Sequence, residues 1–319
     1  MTKNPFEGIL EVCKRPTEQE PWGEMKCVSD EEVFSKEVVD KIDNLPMLLE
    51  SDSPFFFRGQ SDSAWTLKPK LYRLWSDLIN QYRQKEKDIL KEALIKEYDS
   101  IMYFQHRSHR HLEIADTLSR KLSNDTFGEW LALMQHYSTP TRLLDWTASF
   151  YIALYFAAQN DLVDGAVWFF VKDEFKKAVS EIYEEITPEQ GDEILKDIDS
   201  FVEFGMRANP IVFILENDIK TDRIISQRGI FTFSTHLFTD QAFHIGQSLL
   251  KTQKFPLTKH IIPANIKRDI RERLAKMNIT NETLFSSIDS IGKTIDEKIQ
   301  LYRDGILRPK LQNIGKSEI

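Results

Sequence analysis

Between Ser149 and Gln159 the residues Phe150, Ile152, Ala153, Leu154, Tyr155, Phe156 and Ala157 cover almost the whole circumference of a helix. A single apolar stripe would suit a surface helix, whereas apolar residues all round require burial on every side. The segment falls short of the roughly 18 apolar residues that mark a membrane span, and no longer apolar run occurs elsewhere in the 319 residues. The chain must therefore fold around this helix.

The material for a cover is short strands. Ala166 to Val171, Ile211 to Leu215, Gly229 to Phe233 and His260 to Ile262 are rich in Val, Ile and aromatics and are bounded by Gly, Pro, Asn or Asp. Phe55, Phe56 and Phe57 follow the turn cluster Ser51-Asp52-Ser53-Pro54 and predict a buried strand that stops at Arg58. Helical spacing appears at 29–42, at 81–104, and from Asp125 to a break at Pro140. A charged helical part runs from Asn265 to Tyr302, and the acidic stretch 174–203 reads as a peripheral helical insertion. The expected fold is α+β: a small mixed or antiparallel sheet packed against a buried central helix, with additional N- and C-terminal helices. Residues 1–29 form an irregular lead-in, 30–303 the domain, and 304–319 a tail.

A formal net charge of −8 argues against sequence-blind binding to nucleic acid or anionic lipid, which depends on clustered cations. The only seeds of a basic groove are the His106 to Arg110 stretch and Lys267, Arg268, Arg271 and Arg273. His106, His109 and His111 lie among Arg107 and Arg110, a setting that favours a solvated basic patch over a metal site. Two cysteines, Cys13 and Cys27, fit a reducing compartment. With no signal-peptide pattern, a cytoplasmic location is expected. Walker, GxGxxG, HExxH and GxSxG motifs are all absent from the sequence.

Two polar segments stand out against this background. In Phe57-Arg58-Gly59-Gln60, followed by Trp65 and by Leu67 to Arg73, an Arg ends a buried strand beside a Gly that admits close backbone approach. A guanidinium fork there suits a planar anion, or else an internal ion pair with an acid such as Asp145. In Gln135-His136-Tyr137-Ser138-Thr139-Pro140-Thr141-Arg142-Leu143-Leu144-Asp145-Trp146-Thr147, a loop between two buried helices concentrates polar side chains that must find specific partners. Arg142 and Asp145 can pair with each other, Asp145 to Thr147 can cap the next helix, and His136 can be structural or a general acid or base.

These blocks, with Ala153-Leu154-Tyr155-Phe156-Ala157 and Gln227-Arg228-Gly229-Ile230-Phe231, resemble the FRG domain over roughly residues 30 to 300. Ser138-Thr139 departs from the Gly-Leu type of pair common before the Pro. The resemblance implies a largely prokaryotic, intracellular group named for a motif and not for a reaction. Three readings follow. In the first, the strand end, the 135–147 loop and the 227–229 turn enclose a pocket for a small anionic or nucleotide ligand. Arg58, Gln60, Tyr72, Arg142 and Gln227 bind that ligand, Trp65, Tyr72 or Tyr137 stacks on a ring, and His136, Asp145 or Glu216 acts on the reacting centre. NAD fits such a pocket, by a loose analogy with ADP-ribosyltransferases. In the second, a sensing or effector module binds the ligand without turnover. The third is nucleic-acid processing.

Overall fold

The computed structural model describes residues 35–38, 55–108, 127–180, 196–207, 210–215, 229–252, 257–285 and 288–302. Among these residues seven strands form one sheet: β1 Ser35–Val38, β2 Phe55–Gln60, β3 Leu143–Thr147, β4 Gly165–Val171, β5 Val212–Leu215, β6 Gly229–Ser234 and β7 Thr258–Ile262. Their order is β1-β7-β4-β2-β3-β6-β5, which puts β2 and its Arg58 in the middle. All neighbours run antiparallel except β1, which pairs parallel with β7 at the edge. The described helices are α1 Lys70–Gln81, α2 Glu86–Ser108, α3 Phe127–His136, α4 Phe150–Ala157, α5 Lys172–Ser180, α6 Ile198–Arg207, α7 Gln241–Thr252, α8 Ala264–Lys276, α9 Asn281–Phe285 and α10 Ile288–Tyr302. None is long and apolar enough to cross a membrane.

The α+β class is as expected, with α4 buried against the sheet. Alternation along the strands sends side chains to two faces. Phe56, Leu144, Trp146, Trp168, Phe170 and Ile261 share a core with Phe175 of α5 and with Ala242, Ile245 and Leu249 of α7. The opposite face has two covers. Phe57, Val167, Phe169 and Ile262 lie under α4 and under Ile270 and Leu274 of α8. Leu143, Phe231 and Phe233 lie under α2, α3 and Phe201 of α6.

Several local expectations change. Residues 35–38, expected within a helix, form β1, because the open edge of β7 gives their backbone a ladder to join. The segment 143–147 is a strand and not a loop or a cap: Leu143, Asp145 and Thr147 face one way while Leu144 and Trp146 face the other. The 174–203 stretch is not peripheral in its described parts, since Phe175 and Phe201 are fully buried, each burial contributing about 1.5–3 kcal/mol. Helices α1 and α7 were not anticipated.

One buried titratable group makes the fold sensitive to acid. His236 follows β6, is 4% exposed, and has its pKa lowered to about 3 by burial, with the positive charge of Arg142 acting in the same direction. Between its unfolded value near 6.5 and about 3, the unfolded chain takes up a proton that the folded chain refuses, so stability falls as pH falls. Thermal melts at pH 7, 6, 5 and 4 are expected to show a progressive loss of Tm below pH 6.5, and His236→Gln is expected to reduce that slope, with His244, lowered to about 4 by burial, supplying the remainder.

Candidate functional site

The site arises from a seam in the sheet. Strand β2 pairs with β4 at six positions from Phe55 to Gln60, and β3 pairs with β6 at five from Leu143 to Thr147. Between β2 and β3 the register holds a single pair, Phe57 with Thr147. Beyond it Arg58 bridges the two strands, donating from Nη1 to the backbone carbonyl of Asp145 at 2.7 Å.

A cavity of about 180 Å³ occupies this seam. Phe57, Ile152, Phe156 and Phe231 provide its apolar lining, while Arg58, Gln135, His136 and Asp145 provide its polar lining. Helix α4 closes one side because Gly59 lets it come close: a Cβ there would lie 1.8 Å from the carbonyl oxygen of Ala153. The start of α4 is fixed by Ser149, whose side chain accepts from the Ile152 N–H, and by Thr147, whose hydroxyl accepts from the Ser149 N–H at 3.0 Å. The end of α3 supplies Gln135 and His136, the His136 ring standing edge-on to Tyr137 at 4.7 Å.

Residues 53–165 match the family model of the FRG domain. The chain carries an FRG domain. The match takes in β2, the 135–147 block and α4, and with them Arg58, Gln135, His136 and Asp145; Gly229 and Phe231 on the cavity's far side lie beyond it. Comparison with curated proteins and with solved structures finds no match.

The polar groups of the FRG domain's cavity form a connected set. Thr141 donates its hydroxyl to Gln135 Oε1 at 2.6 Å, which turns Gln135 Nε2 toward Asp145 Oδ2 at 2.9 Å. Arg58 Nη1 lies 3.7 Å from the same Oδ2, and the Asp145 side chain is 47% exposed. Burial lowers the Arg58 pKa, Asp145 opposes that shift, and Arg73 of α1 adds to it through like charge. Arg73, whose Nη1 donates to the Lys68 carbonyl at 2.9 Å, also feels the charge of Asp145.

The structure brings Arg58, His136 and Asp145 to the cavity and places three other expected residues elsewhere. Arg142 is not at the cavity: it is 1% exposed, its Nε donates to Glu97 Oε1 at 2.7 Å, its Nη2 pairs with Glu97 Oε2, and its Nη1 donates to the Thr235 carbonyl at 2.7 Å. With its fork filled and its plane between the rings of Phe201 and Phe233, it ties α2, α6 and β6 to β3. Contrary to expectation, Arg142 therefore does not join Arg58, and the second guanidinium near Arg58 is that of Arg73. Gln60 is buried, donating to the Thr66 carbonyl at 3.0 Å and accepting from Trp168 Nε1 at 2.7 Å. Tyr72 packs on Phe238, and burial holds its pKa up at about 12, with Asp240 and Glu86 adding to the shift. Glu216 and Gln227 lie outside the described residues.

Sequence reasoning gave no separate role to Gln135, whose signal was its place directly before His136 in the motif. It also missed Glu97, which sits in phase with Leu90, Leu94 and Ile101 on the buried stripe of α2. A carboxylate on an apolar stripe asks for a buried cation. On α8 the basic residues are largely engaged within the chain. Lys267 Nζ donates to the carbonyls of Ser61 and Asn160, Arg268 pairs with Glu272, and Arg271 pairs with Asp161.

Proposed function

We propose that the FRG-domain cavity binds a nucleotide-type ligand, with NAD as the first candidate: one flat ring enters the seam and the phosphates stay at the rim. The observation that carries this reading is the meeting of Arg58, His136 and Asp145 around one apolar-walled cavity, with Arg73 close enough to act on Arg58 and to feel Asp145. Ligand pockets are commonly about 300–1,000 Å³. A cavity of about 180 Å³ is matched to one ring and not to a whole dinucleotide. Arg73 and Lys70 on α1 are exposed, and Lys70 Nζ reaches the Ser138 carbonyl at 2.9 Å, close in sequence to His136, so the phosphates of a bound nucleotide would meet cations there.

For chemistry, His136 is the side chain suited to proton transfer near neutral pH, and Asp145 is the one carboxylate among the described residues lining the cavity. The half-exposed Asp145 carboxylate, facing the cavity, can steady a developing positive charge on a ring lodged beside it. Incubation of the protein with labelled NAD and a cell lysate is the test. Saturable NAD binding with transfer of label marks an enzyme, binding without transfer marks a sensing module, and no binding ends the reading. Arg58→Ala is expected to weaken binding at least about tenfold while keeping a cooperative melt, because it removes charge-assisted hydrogen bonds worth more than 1.4 kcal/mol. An Arg58→Ala protein that fails to fold would make Arg58 a structural bridge only.

A further inference from the structure

We infer that the polar end of the cavity, where Arg58 and Asp145 stand side by side, selects a primary carboxamide on a flat ring and rejects the corresponding carboxylic acid. This rests on the ring-binding reading above and specifies which ring substituent the site accepts.

Gln135 is fixed in orientation: its Oε1 is taken by the Thr141 hydroxyl at 2.6 Å, so its Nε2 must face Asp145 and donate to Oδ2 at 2.9 Å. That oxygen also faces Arg58 Nη1 at 3.7 Å, so both of its neighbours are donors. Asp145 Oδ1 makes no hydrogen bond to the described residues and belongs to a half-exposed side chain, which leaves it as an acceptor for a guest. On the Arg58 side, Nη1 is held by the Asp145 carbonyl at 2.7 Å, whereas Nη2 makes no hydrogen bond to the described residues.

The end of the cavity therefore offers a donor and an acceptor next to each other, both fixed from behind. A primary carboxamide carries the complementary pair on one carbon: its carbonyl accepts from Arg58 and its N–H donates to Asp145. A carboxylate carries two acceptors, and one of them would be pressed against the Asp145 carboxylate with no proton between them. Sites that hydrogen-bond a substrate N–H discriminate strongly against analogues lacking it, because the buried polar group is then left unpaired. The apolar lining by Phe57, Phe156 and Phe231 suits the face of the ring, and the cavity volume limits the guest to about one ring.

Calorimetric titration of the full chain with nicotinamide and with nicotinic acid, and with NAD and its nicotinic-acid analogue, tests the inference. The expected result is at least about a tenfold preference for the amide in both pairs. Asp145→Asn keeps the shape and adds a donor, so it should cut that preference below about twofold or invert it. If Asp145→Asn does not fold, Gln135→Leu, which loosens the carboxylate, should lower the preference severalfold. Equal affinities, preference for the acid, no binding of any of the four, or a ratio unmoved by the variants would overturn the inference. Tight NAD binding without amide preference would remove this inference alone, and amide preference without NAD binding would remove the nucleotide reading alone.

Discussion

Glu97→Leu is expected to lower the stability of this protein by about 3–5 kcal/mol, the usual cost of leaving a buried charge without its partner. Arg142 has no route to solvent: it is 1% exposed, held by two backbone carbonyls at the end of β6 and flanked by Phe201 and Phe233. Removing the carboxylate leaves a guanidinium in that site with only those carbonyls to hold it. The pair Glu97→Leu with Arg142→Met should recover much of the loss, because it removes both desolvation costs together. Urea denaturation of the two proteins checks this. A single variant within about 1 kcal/mol of wild type would show that the charge is relieved by a route the geometry does not contain.

Gly59→Ala is expected to be damaging through a different cause. The new methyl group would sit 1.8 Å from the Ala153 carbonyl oxygen and 2.8 Å from the Ala157 backbone nitrogen. These are main-chain atoms of α4, the element around which the chain is built, so nothing flexible can move aside. Either α4 lifts off β2 or the strand deforms, and overpacking of this kind costs at least about 1–3 kcal/mol. Loss of the cavity comes with it, since α4 contributes Ile152 and Phe156 to its wall. Circular dichroism melts should register the change, as should NAD titration on the ligand reading proposed above, and a variant with wild-type stability would contradict the close approach of α4.

The all-round apolar segment from Phe150 announced a central helix, and α4 is that helix. Most strand positions followed from runs of β-branched and aromatic residues. Segment 143–147 did not, because five residues with a charge at their centre show too little alternation to outweigh the polar company of the motif. The polar blocks pointed at Arg58, His136 and Asp145 together, and these share one cavity. The same blocks pointed equally at Arg142, and sequence had no means to separate the two arginines. What distinguishes them is Glu97, 45 residues away in the chain, and only folding brings it to Arg142 and not to Arg58.

The weak join between β2 and β3 has a consequence for anything that settles there. Each flanking strand is firmly stitched to its own neighbours and carries its own helices, α4 and α8 on one wing, α2 and α3 on the other. A guest in the gap would touch both wings at once, adding to the core that α5 and α7 already spread across them on the other face. Its arrival or departure would then bear at once on the end of α3 and on α4, both of which line the gap.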